Sequence, residues 1–87
     1  MGLTHAEFLR SLPAALGRQA YTVRHNEVVI PEAHRCLVIH LAPESQQALG
    51  LLRLPMTCVT FTFTGYTSTE VEAFMLQFNR HFQRGGG

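Results

Sequence analysis

Residues 56–64 read Met-Thr-Cys-Val-Thr-Phe-Thr-Phe-Thr, and this run constrains the fold more than any other segment. Val59, Phe61 and Phe63 alternate with Thr60, Thr62 and Thr64. In an extended chain one face is then wholly apolar, and the other carries hydroxyls continued by Met56 and Cys58. A strand with one greasy face needs a sheet to belong to and a layer to cover it. A candidate layer follows at once. Gly65-Tyr66 turns the chain, Thr67 and Glu70 have capping-box spacing, and Val71, Phe74, Met75, Phe78 and Phe82 recur at helical intervals. Glu70 and Glu72 in the first turn and Arg80, His81 and Arg84 in the last complement the helix dipole. Gly85, Gly86 and Gly87 then stop the helix.

The N-terminal half supplies the rest of a sheet. Thr4 and Glu7 give another capping-box spacing, and Phe8, Leu9, Leu12, Ala15 and Leu16 predict a helix ending near Gly17, with Pro13 as its weak point. Tyr21-Thr22-Val23 and Val28-Val29-Ile30 flank Arg24-His25-Asn26-Glu27 and read as a hairpin turning at the asparagine. Pro31 closes its second strand, and a third strand runs from Arg35 to Leu41. Between Gln46 and Leu54, Ala48, Leu49, Leu51, Leu52 and Leu54 are too dense for a solvated loop, and we read a short helix ended by Pro55.

The expected fold is therefore α+β: a four-stranded, mainly antiparallel sheet with N- and C-terminal helices packed on one face, in the order α-β-β-β-short α-β-α. Its expected core takes Val23, Leu37, Ile39, Phe61 and Phe63 from the sheet. The domain spans 1–84, followed by a glycine tail at 85–87. With 87 residues there is one core, and no repeat or linker divides it. Charged residues at 15%, against about 25% in an average globular chain, exclude a disordered, charge-driven wrapper. No apolar run reaches membrane-spanning length and the N-terminus has no basic and apolar leader pattern, so we expect a cytoplasmic protein without membrane contact.

Function is far less legible. All seven basic residues are arginines, and the net charge is +1. Guanidinium groups suit phosphate, but these are spread through the chain, with only Arg80 and Arg84 close enough to form a local patch. Codon usage in a GC-rich gene accounts for the absence of lysine more simply, and nucleic acid is not an expected partner. Cys36 and Cys58 are two thiols without Cys-x-x-Cys spacing and are expected reduced, inside strands. Five histidines invite a metal reading. Cys36 and His40 stand about 13 Å apart along a strand, and Cys58 could join Cys36 only if their strands ran parallel. His5, His25 and His81 fall at helix ends and a turn, where solvated histidines are ordinary. We expect no metal, no cofactor and no catalytic constellation: aspartate is absent, no Gly-x-Ser-x-Gly elbow occurs, and no glycine-rich loop precedes a helix. Tyr66 and Arg53 lie beside turns and read as a core-edge tyrosine and a snorkelling arginine. Ubiquitin-like modifiers and small sulfur carriers also end in Gly-Gly, but their tail follows a strand and their chain opens on a hairpin, whereas this one opens on a helix.

What remains is the sheet face turned away from the helices. By alternation it carries Thr22, Arg24, Cys36, Val38, His40, Cys58, Thr60, Thr62 and Thr64, with Met56. A solvated face usually carries Lys, Glu and Arg, whereas small, weakly polar residues suit close contact with another surface. The expectation is a non-enzymatic homodimer, pairing by sheet face or edge and acting on another protein or a small ligand. The rival readings are a thiol enzyme or carrier using Cys36 or Cys58 with His40, and a weak nucleic-acid binder using Arg24, Arg80 and Arg84.

Overall fold

The structure is a computed structural model that describes residues 1–86, with side chains through Phe82. Helix α1 spans His5–Leu16, β1 Thr22–Arg24, β2 Glu27–Pro31, β3 Cys36–Leu41, β4 Ser45–Leu49, β5 Leu52–Met56, β6 Val59–Thr64 and α2 Ser68–Gly86. The strands form a four-stranded sheet in the order β1-β2-β3-β6 and a separate two-stranded β4-β5 sheet, both antiparallel. The α+β class, the four-stranded sheet and the two terminal helices are as the sequence reading has them.

Each helix start is fixed by the reciprocal cap that the spacing predicts. Thr4 Oγ1 accepts from Glu7 N at 3.1 Å while Thr4 N donates to Glu7 Oε1 at 2.9 Å. Glu70 N donates to Thr67 Oγ1 at 3.2 Å and Thr67 N to Glu70 Oε1 at 2.9 Å. Such a cap is worth about 0.5–2 kcal/mol. Helix α1 continues through Pro13 and ends at Gly17, whose N–H donates to the Pro13 carbonyl at 2.9 Å. Helix α2 runs through Gly86, one residue beyond the expected first stopping glycine, and Gly87 lies outside the described residues.

Both helices cover one face. Phe8, Leu12, Ala15 and Leu16 of α1 and Phe78 and Phe82 of α2 bury against Val28, Ile30, Leu37, Ile39 and Leu41. These sheet residues have matching parity, Val28 opposite Ile39 and Ile30 opposite Leu37. The Phe stripe of α2 is continuous: Phe78 lies 4.5 Å from Phe82 and 5.7 Å from Phe74 between ring centroids, and meets Phe61 edge-on at 5.0 Å. Val23 is not in this core. It is 44% exposed, because β1 is a three-residue edge strand.

The segment read as a short helix is instead the β4-β5 hairpin. Leu49 pairs with Leu52, leaving Gly50-Leu51 as a two-residue turn with Gly50 at φ +62°. A positive φ at the first central residue alone is the pattern of a type II′ turn, whose twist matches its strands. That glycine, and Pro55 within β5, outweigh the helix preference of the leucines and alanine. In the β1-β2 turn the positive φ falls on His25, at +52°, and not on Asn26.

Candidate interaction surface

The ladder register assembles the open face. Antiparallel partners point the same way. Thr22 pairs with Val29, Val29 with Val38, and Val38 with Thr62, forming one row across the sheet. Arg24, Glu27, His40 and Thr60 form the next row, and Pro31, Cys36 and Thr64 a third. The structure therefore brings together Thr22, Arg24, Cys36, Val38, His40, Thr60, Thr62 and Thr64. It adds Glu27, Val29 and Pro31, which lie on a strand whose outward residues the sequence reading left unassigned. Arg24 beside Glu27 balances the face's charge.

Cys58 stands differently from the expectation. It lies in the two-residue link before β6 and is exposed, although its carbonyl extends the ladder by accepting from Ala42 N at 2.9 Å. Strands β3 and β6 are antiparallel with Cys36 opposite Thr64, so Cys58 lies at the far end of β6 from Cys36, about 20 Å along the strand. The two thiols cannot share one ion or one reaction. Among the described residues no group of three or more His, Cys, Asp or Glu converges.

The same bond defines a second feature, the free edge of β6. Ala42 N donating to Cys58 O makes that a hydrogen-bonded pair, and the narrow and wide pairs of an antiparallel ladder alternate. Thr60, Thr62 and Thr64 therefore turn their backbone N–H and C=O groups toward β3. Val59, Phe61 and Phe63 turn theirs outward, where β6 has no neighbouring strand among the described residues. Native edges are usually blunted by lysine, proline, a bulge or shortness. β6 has six residues, no charge and no proline.

Beyond the sheet projects the β4-β5 hairpin, whose strands, among the described residues, pair only with each other. The molecule measures 48 Å along its long axis, against 25 and 21 Å across. Leu49, Leu51, Leu52 and Leu54 are 52%, 104%, 64% and 42% exposed. The arm is held at its root. Thr57, fully buried, donates from Oγ1 to the Leu3 carbonyl at 2.8 Å and from N to the Met1 carbonyl at 2.7 Å. His5 N donates to Glu44 Oε2 at 3.1 Å, and His5 Nε2 lies 2.7 Å from the Ala42 carbonyl oxygen. His5 is thus an anchor of the arm and not the freely solvated histidine that its place in the first turn suggested.

At the opposite end of the sheet the two turns that precede β3 and follow β6 are bolted together. Arg35 Nε donates to Glu32 Oε2 at 2.6 Å, its Nη1 to Glu70 Oε2 at 2.8 Å, and its guanidinium stacks 4.3 Å from the Tyr66 ring centre. Tyr66 OH donates to the same Glu32 oxygen at 3.2 Å. Arg35 and Tyr66 holds Glu32 below the usual carboxylate range, chiefly through the Arg35 hydrogen bond. Glu70 is lowered first by the Thr67 backbone N–H and then by Arg35. Partial burial and the carboxylate beside it push the Tyr66 hydroxyl up. From the sequence Arg35 reads as a strand start and Tyr66 as a core-edge tyrosine; the Glu32-x-x-Arg35 spacing is the one local signal of this cluster. With Nε and Nη1 donating to two carboxylates on separate elements, Arg35 acts as a structural bolt between the turns.

Comparisons with family models, with curated proteins and with solved structures give no match for this chain. Among the described residues no helix is long and apolar enough to cross a membrane.

Proposed function

We propose that this protein is a non-enzymatic interaction module, at work in the cytoplasm, that pairs with a second copy of itself along the β6 edge and the threonine rows beside it. One observation carries the reading: β6 offers the outward backbone groups of Val59, Phe61 and Phe63 with none of the usual devices against strand addition. A two-fold axis through the middle of β6 would pair that strand antiparallel with its own copy, an isologous contact in which each outward donor meets an outward acceptor. Thr60, Thr62 and Thr64 would line one side of the seam as cross-strand neighbours, a favourable pairing of small β-branched residues. Glu27 and Arg24 lie two and three strands away, on β2 and β1 and outside the seam, so no unpaired charge is buried.

Hydrogen exchange read at single amides tests the geometry. Thr60, Thr62 and Thr64 are protected in monomer and dimer alike, because they bond to β3. Val59, Phe61 and Phe63 are protected only when another strand adds. Protection of these three that disappears on dilution, together with a dimeric mass in native mass spectrometry, is the expected result. Thr60→Lys with Thr62→Lys should dissociate the pair, by placing like charges opposite each other across the seam. A wild-type mass of one chain at the highest concentration tested, with the three amides exchanging freely, overturns the reading.

A further inference from the structure

The β4-β5 arm has no role in the β6 seam as described, yet it is the most apolar exposed feature of the molecule. Its register places Leu49, Leu52 and Leu54 on one side together with Gln47 and Ser45, with half-buried Met56 at the root and Leu51 at the tip. The other side carries Gln46, Ala48, Arg53 and Pro55. A lone two-stranded hairpin is at best marginally stable in water, and contiguous apolar patches of about 300–600 Å² on a monomer are often functional. The arm therefore needs a surface to lie on.

We infer that the arm is the second half of the self-association interface, its leucine side closing on the partner copy. Three observations point to a second copy and not to a different partner. The arm has one charge, Arg53, and it lies on the side away from the leucines, so the leucine side carries no charge pattern that would select an oppositely charged protein. The arm is continuous with the free edge, since β5 passes to β6 through Thr57 and Cys58 alone. A stable interface uses about 20–30 residues a side, or about 800 Å². Six residues of β6 fall well short of that, and β6 with the two five-residue strands of the arm approaches it. In an antiparallel β6 pair the arm, which leaves from the Val59 end, is carried past the Thr64 end of the partner strand. Each copy would then contribute one arm to the other, as closed two-fold symmetry requires.

This inference rests on the self-association reading, and the experiment separates the two. Sedimentation equilibrium is measured on the wild type, on Leu51→Lys, and on Leu51→Lys with Leu54→Lys, with circular dichroism and a thermal melt of each. Leu51 is as exposed as in a free chain, so its replacement leaves the monomer fold intact and serves where the double variant disturbs the hairpin. The expected result is a dimeric wild type, a dissociation constant raised at least tenfold by Leu51→Lys, and a larger rise for the double variant. A dimeric wild type whose dissociation constant neither variant changes overturns the arm's role and leaves the β6 reading standing. A monomeric wild type overturns both and assigns the leucine side to another occupant.

Discussion

Replacing Gly65 by alanine should be among the most damaging single-methyl changes in this protein, and Gly50→Ala is its control. Both glycines have positive φ, +80° at Gly65 and +62° at Gly50. An L-residue in that region carries an intrinsic cost of about 1–2 kcal/mol. They differ in what the new methyl meets. At Gly50 nothing among the described residues lies within 4 Å. At Gly65 the added Cβ would sit 2.5 Å from the His34 carbonyl oxygen, 3.1 Å from Arg35 Cα and 3.2 Å from Arg35 Cβ. Two of these atoms are backbone and the third is a Cβ, so no flexible side-chain end can swing away. The β6-α2 turn must move off the β2-β3 turn, straining the contacts of Arg35 with Glu70 and Tyr66. Forced overpacking costs about a further 1–3 kcal/mol. The expected total is about 2–5 kcal/mol at Gly65, against about 1–2 kcal/mol, felt within the arm, at Gly50. Near the melting temperature of a domain this size, each kcal/mol is about 4–8 °C. Thermal unfolding followed by circular dichroism should therefore place Gly65→Ala at least about 4 °C below Gly50→Ala. Equal melting temperatures would refute the argument that the two turns are held in contact through this glycine.

Acid should loosen the same turns. Glu32 and Glu70 have folded pKa values below the ordinary glutamate value, so their stabilising contribution is fully present above that value and is lost as pH falls through the lower folded values. The melting temperature should drop across that acid window, and less steeply in Arg35→Gln, which removes the main hydrogen bond that lowers Glu32 and a weaker attraction at Glu70; parallel profiles in the two proteins would sink the assignment. Alkylation of the folded protein by iodoacetamide, read by peptide mass spectrometry, should label exposed Cys58 before half-buried Cys36. Cys36 reacting first would mean that the open face is looser than the β2-β3-β6 ladder implies.

Much of the fold was legible because its signals are local. The alternation of Val59 to Thr64 gave β6, both Thr-x-x-Glu boxes gave the helix starts, and the 3.6-residue Phe stripe gave the face of α2 that is buried. The open face was legible too, since the period of two assigns Cys36, Val38, His40 and the threonines without knowledge of strand order. The β4-β5 hairpin was misread because Ala48, Leu49, Leu51 and Leu52 favour a helix. Gly50, at a φ that reverses the chain, and Pro55 decide otherwise, and the bare sequence does not distinguish a turn glycine from a tolerated helical one.

Sequence by itself thus determined which side of each strand and helix is apolar, because side-chain period and hydrophobicity are properties of neighbouring residues. Tertiary structure alone decided which strand lies at the edge. That outcome depends on long-range pairing: β3 takes β2 on one side and β6 on the other, which leaves Val59, Phe61 and Phe63 with outward backbone groups. It alone also brought Arg35 to Glu70 and His5 to Ala42, contacts between residues 35 and 37 positions apart. No local pattern encodes such separations, because closing them is the work of the whole core.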